Sequence, residues 1–290
     1  MLFAFSILEY FKYEFVWCAL ISIIFIAVCS SFVGVTLVLK RLSNIGDGLS
    51  HVAFGTITIG MIAGLSSGLD GSMSIWSTLL SILITGVVSF LLIGVKNSTK
   101  IKGDSLIAMI SVFSLAFAYF LINVDKTATN VAGDVCGTLF GSSSILTIHW
   151  NDVAISGILC GITIAIYVIF YNKIFVISFD DSFARASGIK TKVYEIIIAI
   201  TIAVIVSLAI RIVGSLLVTA LLVFPALSAM RVAKSYKKVT ILSAIFAVVN
   251  AVVGMFLSMI IGSPVGSTIV IIEAFTFIVC LSISLISRRA

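Results

Sequence analysis

Asp47 and His51 are the two residues whose types and spacing most directly suggest chemistry, in the segment GDGLSHVAFG. On a helix, a four-residue separation places both side chains on one face, about one turn apart. A carboxylate oxygen and an imidazole nitrogen together suit divalent ions such as zinc, manganese or iron. Because no Asp, Glu, Lys or Arg occurs from Gly48 to Leu69, the pair enters an apolar segment and predicts a cation pathway. Alternatively, Asp47 only caps a helix and His51 is an interior histidine bonded to a carbonyl.

The composition identifies the environment that must position this pair. The 290 residues are 61% hydrophobic and 10% charged, with a mean hydropathy of +1.28. Soluble domains carry about 25% charged residues, so the chain is predicted to be an integral membrane protein. Its apolar runs are continuous and about 20 residues long, which favours helices and excludes the alternating strands of a barrel.

Nine apolar runs are candidate membrane spans, so we expect an all-α polytopic protein with about eight or nine transmembrane helices. One transmembrane domain would then comprise residues 1–290. The runs cover residues 15–39, 46–66, 74–95, 105–124, 153–172, 193–210, 212–230, 239–261 and 266–287.

The basic residues predict the orientation of the spans. With the N-terminus outside and the C-terminus in the cytoplasm, 15 of the 18 Lys and Arg residues lie in cytoplasmic loops, as the positive-inside rule requires. The chain is therefore expected to be a multi-pass membrane protein with this orientation. The net charge of +6 then reflects bases that flank membrane spans, so a nucleic-acid partner is not expected.

Two polar stretches lie outside the span pattern. On the outer side, His149 and Asp152 are three residues apart and could form a ligand pair where the ion enters, although the neighbouring Trp150 favours a membrane-interface position for this stretch. On the cytoplasmic side, residues 178–192 read SFDDSFARASGIKTK. Asp180 or Asp181 can cap a short helix that Gly188 ends. Such a helix would dock a soluble partner, and its alternative interpretation is a solvated loop.

Two further polar or special residues lie within the predicted spans. Pro225 removes a backbone donor and kinks its helix, which suits a wall that tilts between outward-open and inward-open states. Glu273 lies about a third of the way into the last span. It is either an additional polar group of the pathway or is held neutral by a partner such as Asn250, and the sequence leaves both roles open.

Three function classes compete for a chain of this kind. An ATP-driven importer permease needs no nucleotide motif of its own, and the chain contains no Gly-Lys dipeptide and therefore no GxxxxGK[ST] loop. An ion-coupled secondary transporter or channel without an ATPase is the main alternative, but no second copy of GDGLSH indicates an inverted repeat. An intramembrane enzyme would need a motif such as HExxH, which is absent.

Four segments together resemble the zinc and manganese ABC-transporter permeases, the membrane subunits of binding-protein-dependent metal importers. They follow one another along most of the chain, in the order and spacing of that family. The segments are LKRLSNIGDGLSHVAFG, FDDSFARASGI, IRIVGSLLVTALLVFPALSAMRVA and SMIIGSPVGSTIVIIEA.

This resemblance implies a type II importer-like permease that transports a divalent metal ion and holds no permanent cofactor. It implies a homodimer of this subunit in the lipid bilayer of a bacterial cytoplasmic membrane, a cytoplasmic ATPase dimer that binds the ATP, and an extracytoplasmic metal-binding protein. Asp47 and His51 match the pathway ligands of the family. Residues Asp180 to Gly188, with Asp181 and Ala184, match the segment that couples to the ATPase. Zinc is the first expectation for the ion, with manganese or iron open.

Overall fold

The computed structural model describes residues 12–66, 75–95, 103–124, 148 and 150–287. Within these residues the chain forms eleven α-helices. Their bounds are α1 Glu14–Leu39, α2 Asn44–Ser66, α3 Ile75–Val95, α4 Gly103–Val124, α5 Trp150–Ile169, α6 Tyr171–Phe179, α7 Asp181–Ala186, α8 Thr191–Val213, α9 Ser215–Val232, α10 Tyr236–Ile261 and α11 Val265–Ser287.

The nine longer helices coincide with the nine predicted spans, and each end lies within three residues of its predicted position. The all-α class is therefore confirmed. Seven of the nine, all except α2 and α3, are long and apolar enough over their described residues to cross a membrane. The number of spans established in this way is slightly below the expected eight or nine.

The centre of the bundle is formed by α1, α8 and α9. About two thirds of the apolar window of α1 and of α8 is buried, whereas only 17% of the window of α11 is. Large aliphatic side chains such as Ile23, Ile202 and Leu221 are fully enclosed in this core. Close packing of such side chains replaces the hydrophobic effect as the force that holds helices together inside a bilayer. The more peripheral helices keep apolar surface outward.

Helix α6 was not predicted from the sequence. The predicted span 153–172 in fact ends at Ile169, and a new helix begins at Tyr171. Aromatic side chains of α5 and α6 pack on the start of α10: the ring centroid of Phe175 on α6 lies 4.8 Å from that of Tyr236, and the hydroxyls of Tyr167 on α5 and Tyr236 are hydrogen bonded. The apolar sequence of α6 resembles an extension of α5, which explains why periodicity alone did not separate them.

The turn from α1 to α2 sets the position of Asp47. Arg41 adopts a left-handed backbone with φ of 57°, and the amide of Leu42 donates to the carbonyl of Leu37 at 2.9 Å. This is the bonding pattern that closes helix C-termini. The side chain of Lys40 lies 3.8 Å from that of Glu195 on α8, with each side chain about nine-tenths buried. The ion pair therefore ties the turn to the centre of the bundle.

Candidate metal site

Asp47 and His51 lie together on α2, as predicted. His51 Nε2 lies 3.6 Å from Asp47 Oδ1, which is too long for a hydrogen bond but close enough for both atoms to bind one ion. The Asp47 side chain is 62% exposed and the His51 side chain 22%. His51 Nδ1 is buried and has no hydrogen-bond partner among the described residues. The alternative in which a neighbouring carbonyl holds His51 therefore finds no support at that nitrogen.

Glycines on either side of Asp47 let two helices approach α2. A Cβ added to Gly46 would lie 2.9 Å from Leu222 Cδ1 on α9, and one added to Gly48 would lie 2.8 Å from Ile107 Cγ2 on α4. Larger residues would push these helices away. The packing thus shows that these glycines admit neighbouring helices. Their neighbours hold the first turn of α2 in place.

Leu222 connects this site to the proline in α9. A Cβ on Gly34 of α1 would lie only 2.0 Å from the carbonyl oxygen of Leu222, so α1 and α9 meet backbone to backbone there. Three residues later, Pro225 lies buried inside a helix that continues from Ser215 to Val232. The proline removes the amide that would bond the carbonyl of Leu221. The contact with Gly34 could not be predicted from the sequence, because the two residues are distant in the chain.

Glu273 and Asn250 lie apart from any exposed surface. Glu273 is 0% exposed on α11, and neither of its carboxyl oxygens has a hydrogen-bond partner among the described residues. Asn250 Oδ1 instead accepts a hydrogen bond from Thr276 Oγ1 at 3.0 Å. The hydrogen bond between Asn250 and Thr276 and the tight approach of Gly254 to Ile269 join α10 to α11.

At the outer-side stretch, His149 lies outside the described residues, so the predicted His149–Asp152 pair stays a prediction. Asp152 is partly buried in the first turn of α5. The indole N–H of Trp150 donates to the carboxylate of Glu14, which joins the starts of α5 and α1. Trp150 is half exposed, as expected of an aromatic residue at a membrane interface.

The predicted coupling segment contains the short helix α7. Asp180 caps it by accepting from the amide of Phe183 at 3.0 Å, Arg185 donates to Asp181 at 2.6 Å, and Gly188 ends it with φ of 78°. Ala184 was expected to contact a partner, but it is 0% exposed, whereas Phe183 is 61% exposed. Ala184 therefore packs this helix against the protein. Phe183 is the exposed apolar residue that the sequence reasoning missed.

In the part of the chain that the structure describes, no three His, Cys, Asp or Glu side chains form a group that could hold a metal ion. Asp47 and His51 therefore stand as a candidate pair, without a third side chain of these types beside them in the described residues. The four described cysteines are buried and form no disulfide, which is typical of cysteines that pack as small apolar residues.

Comparison with known proteins identifies the class. The profile of the "ABC 3 transport family" matches residues 12–284, and the chain belongs to this family, which confirms the resemblance to metal ABC-transporter permeases. The manganese import system permease protein ScaB of Streptococcus gordonii is 31% identical, over 92% of this chain and 90% of that protein. A Haemophilus influenzae protein named "Probable iron transport system membrane protein" is 27% identical over 98% of both chains.

A solved structure has the same architecture. It is described as PsaBC from Streptococcus pneumoniae in complex with Fab, and it superposes with a TM-score of 0.81 at 27% identity, covering 97% of this chain and 95% of that one. The chain is accordingly a permease of a metal ABC importer in the membrane.

Proposed function

We propose that this chain transports manganese through a pathway in which Asp47 and His51 bind the ion. Iron(II) is the second candidate ion. The observation that supports this most directly is the pair itself, 3.6 Å apart and partly accessible on α2, in a chain similar to permeases named for manganese and iron. Those names replace the sequence-based first expectation of zinc. Carboxylate and imidazole ligands suit manganese and iron as well as zinc.

Two ligands from one chain do not complete the coordination of a divalent transition metal. Water can supply the remainder, and so can the same two residues of a second copy. We infer that the working unit is a homodimer in which the α2 helices face a shared pathway. Incomplete coordination by the protein also suits transport, because an ion must leave the site as well as reach it.

Energy for transport would come from a cytoplasmic ATPase dimer, since the chain lacks a phosphate-binding loop. The proposed contact is the coupling segment 178–192, with Phe183 exposed at its centre. Because Asp180 caps α7 and Gly188 ends it, this segment forms a small rigid element that can transmit a displacement. Metal ions would be delivered from the other face by an extracytoplasmic binding protein.

Pro225 is placed to link such a displacement to the site. Leu222 lies one turn before it and touches both Gly34 of α1 and Gly46 of α2. A tilt of α9 about the proline would therefore move the side chain that supports the residue directly before Asp47. We propose this contact as the gating element of an alternating-access mechanism.

Reconstitution tests the proposal against a secondary transporter or channel. Permease in liposomes with a manganese gradient should show little flux alone, and transport should begin when the ATPase, ATP and loaded binding protein are added. Rapid saturable flux through the permease alone would reject the ATP-driven assignment. Parallel assays with manganese, iron(II) and zinc would rank the ions, and a clear preference for zinc would overturn the assignment of manganese.

A further inference from the structure

The turn between α9 and α10 borders a groove that no part of the transport mechanism uses. The groove has a volume of about 620 Å³, and its lining includes Lys234, Ser235 and Lys238 at one end and Ile241 and Ile245 at the other. Both lysines are exposed. A second hollow of about 400 Å³ lies beside the first turns of α10, where Lys237 adjoins Tyr167 and Tyr171.

The charges of this region are unbalanced. No acidic residue occurs in the sequence between Glu195 and Glu273, and none of the three lysines forms an ion pair with a carboxylate in the described chain. On the nearby α7, Asp180 caps the helix and Asp181 pairs with Arg185. The groove therefore presents positive charge at the end of a membrane helix, which suits an anionic ligand.

The apolar end of the groove continues as a row along α10. Ile241, Ile245, Val249 and Val253 are spaced four residues apart, and each is 49–51% exposed. Twelve residues of helix rise about 18 Å, which is close to one leaflet of a hydrocarbon core about 30 Å thick. A soluble phosphate compound would leave this row uncovered, whereas a phospholipid has both the anionic headgroup and an acyl chain of matching length.

We propose that this groove binds an anionic phospholipid of the leaflet that meets the α9–α10 turn. Lys234 and Lys238 hold the phosphate of the headgroup, while Ile241, Ile245 and Val249 contact an acyl chain. Lys237 attracts headgroups on the other side of the helix. The site would anchor the start of α10, whose Tyr236 packs on α6 next to the coupling segment.

A second copy of the chain fits this face less well than a lipid. Two copies in one membrane with the same orientation are related by an axis along the membrane normal, so a contact through α10 would place the lysines of each copy opposite those of the other. Like charges brought together in this way oppose association. Charge complementarity thus favours the lipid.

The test measures lipid binding by the purified full-length permease, using native mass spectrometry in detergent with phosphatidylglycerol or phosphatidylcholine of equal chain length. Wild-type protein should retain phosphatidylglycerol preferentially. The double variant Lys234→Gln/Lys238→Gln should bind it on the order of tenfold more weakly. The matched control Lys190→Gln/Lys192→Gln removes the same charge from exposed positions away from the groove and should bind as the wild type does. Equal binding by both double variants would overturn the site.

Two further measurements separate a lipid from the other occupants. Ile245→Trp fills the apolar end without changing charge and should also weaken phosphatidylglycerol binding, while inorganic phosphate should not displace the lipid. Full displacement by phosphate together with normal binding by Ile245→Trp would reject the lipid in favour of a soluble phosphate site. Efficient disulfide cross-linking between two copies through Val249→Cys, in a background without native cysteines, would show that a second copy covers this face and would overturn the proposal.

Discussion

Two regions of the molecule carry ionisable side chains on apolar helices, and they differ in access. On α2, Asp47 is 62% exposed beside His51, whereas Glu273 on α11 is completely enclosed and has no hydrogen-bond partner among the described residues. Around Asp47, glycines bring α4 and α9 against the helix but leave the carboxylate open. Around Glu273, by contrast, the packing of the described helices encloses the carboxyl group. A lone ionisable residue in a membrane span can thus mark either a site or a sealed interior position, and packing decides which.

The largest effect on transport is expected at the exposed pair of Asp47 and His51, called the open region below. Asp47→Asn and His51→Ala should each reduce manganese uptake to background, because the first removes the ligand charge and the second a nitrogen ligand, while neither removes much packing. Uptake should be measured in cells that lack the native protein, with membrane levels of each variant and co-purification of the ATPase as controls. Normal uptake by either variant would remove that residue from the pathway.

A strong effect on assembly is expected at the coupling segment. Phe183→Glu places a charge on the exposed face of α7 and should greatly reduce co-purification of the ATPase, yet leave the permease folded. Ala184→Glu instead forces a charge into an enclosed position, so it should destabilise the permease itself by several kcal/mol. Thermal unfolding and co-purification measured on both variants separate the two effects. Unchanged ATPase binding by Phe183→Glu would exclude this surface as the docking site.

A moderate effect is expected where α10 meets α11. A Cβ on residue 254 would lie 2.5 Å from Ile269 Cγ1 and 2.8 Å from Ile269 Cα, so Gly254→Ala should destabilise the protein by about 1–3 kcal/mol through overpacking. Gly161→Ala on α5 is the matched control, since its Cβ would meet nothing within 4 Å. Thermal unfolding in detergent compares them. Equal stability of the two variants would show that the α10–α11 contact is loose.

The smallest effect is expected from Glu273→Gln. The substitution keeps the size of the side chain and removes its capacity to ionise, which an enclosed position without a partner does not favour. Uptake should remain near wild type and stability should change by less than about 1 kcal/mol. If Glu273→Gln instead abolished uptake as Asp47→Asn is expected to, Glu273 would join the pathway and the contrast between the two regions would disappear.

The open region could be predicted from the sequence because its signal is local. Asp47 and His51 are four residues apart, so helical geometry alone places them on one face. The nine long helices could also be predicted from the sequence, since a continuous apolar run of about 20 residues has few alternatives to a helix in a bilayer. Gly188 and Asp180 likewise marked the ends of α7 through backbone and capping preferences.

Tertiary structure alone decided the features that depend on residues distant in the chain. Gly34 meets Leu222, Gly254 meets Ile269, and Ala184 turns inward while Phe183 faces outward. None of these contacts follows from spacing, because each depends on which helix lies alongside and at what height. Glu273 shows the same limit: its sequence position allowed a pathway role or an enclosed one, and only the packing of the helices determined that its side chain is enclosed. Sequence thus determined the helices and the short-range pair, and packing between helices determined which of the polar groups are exposed and which are enclosed.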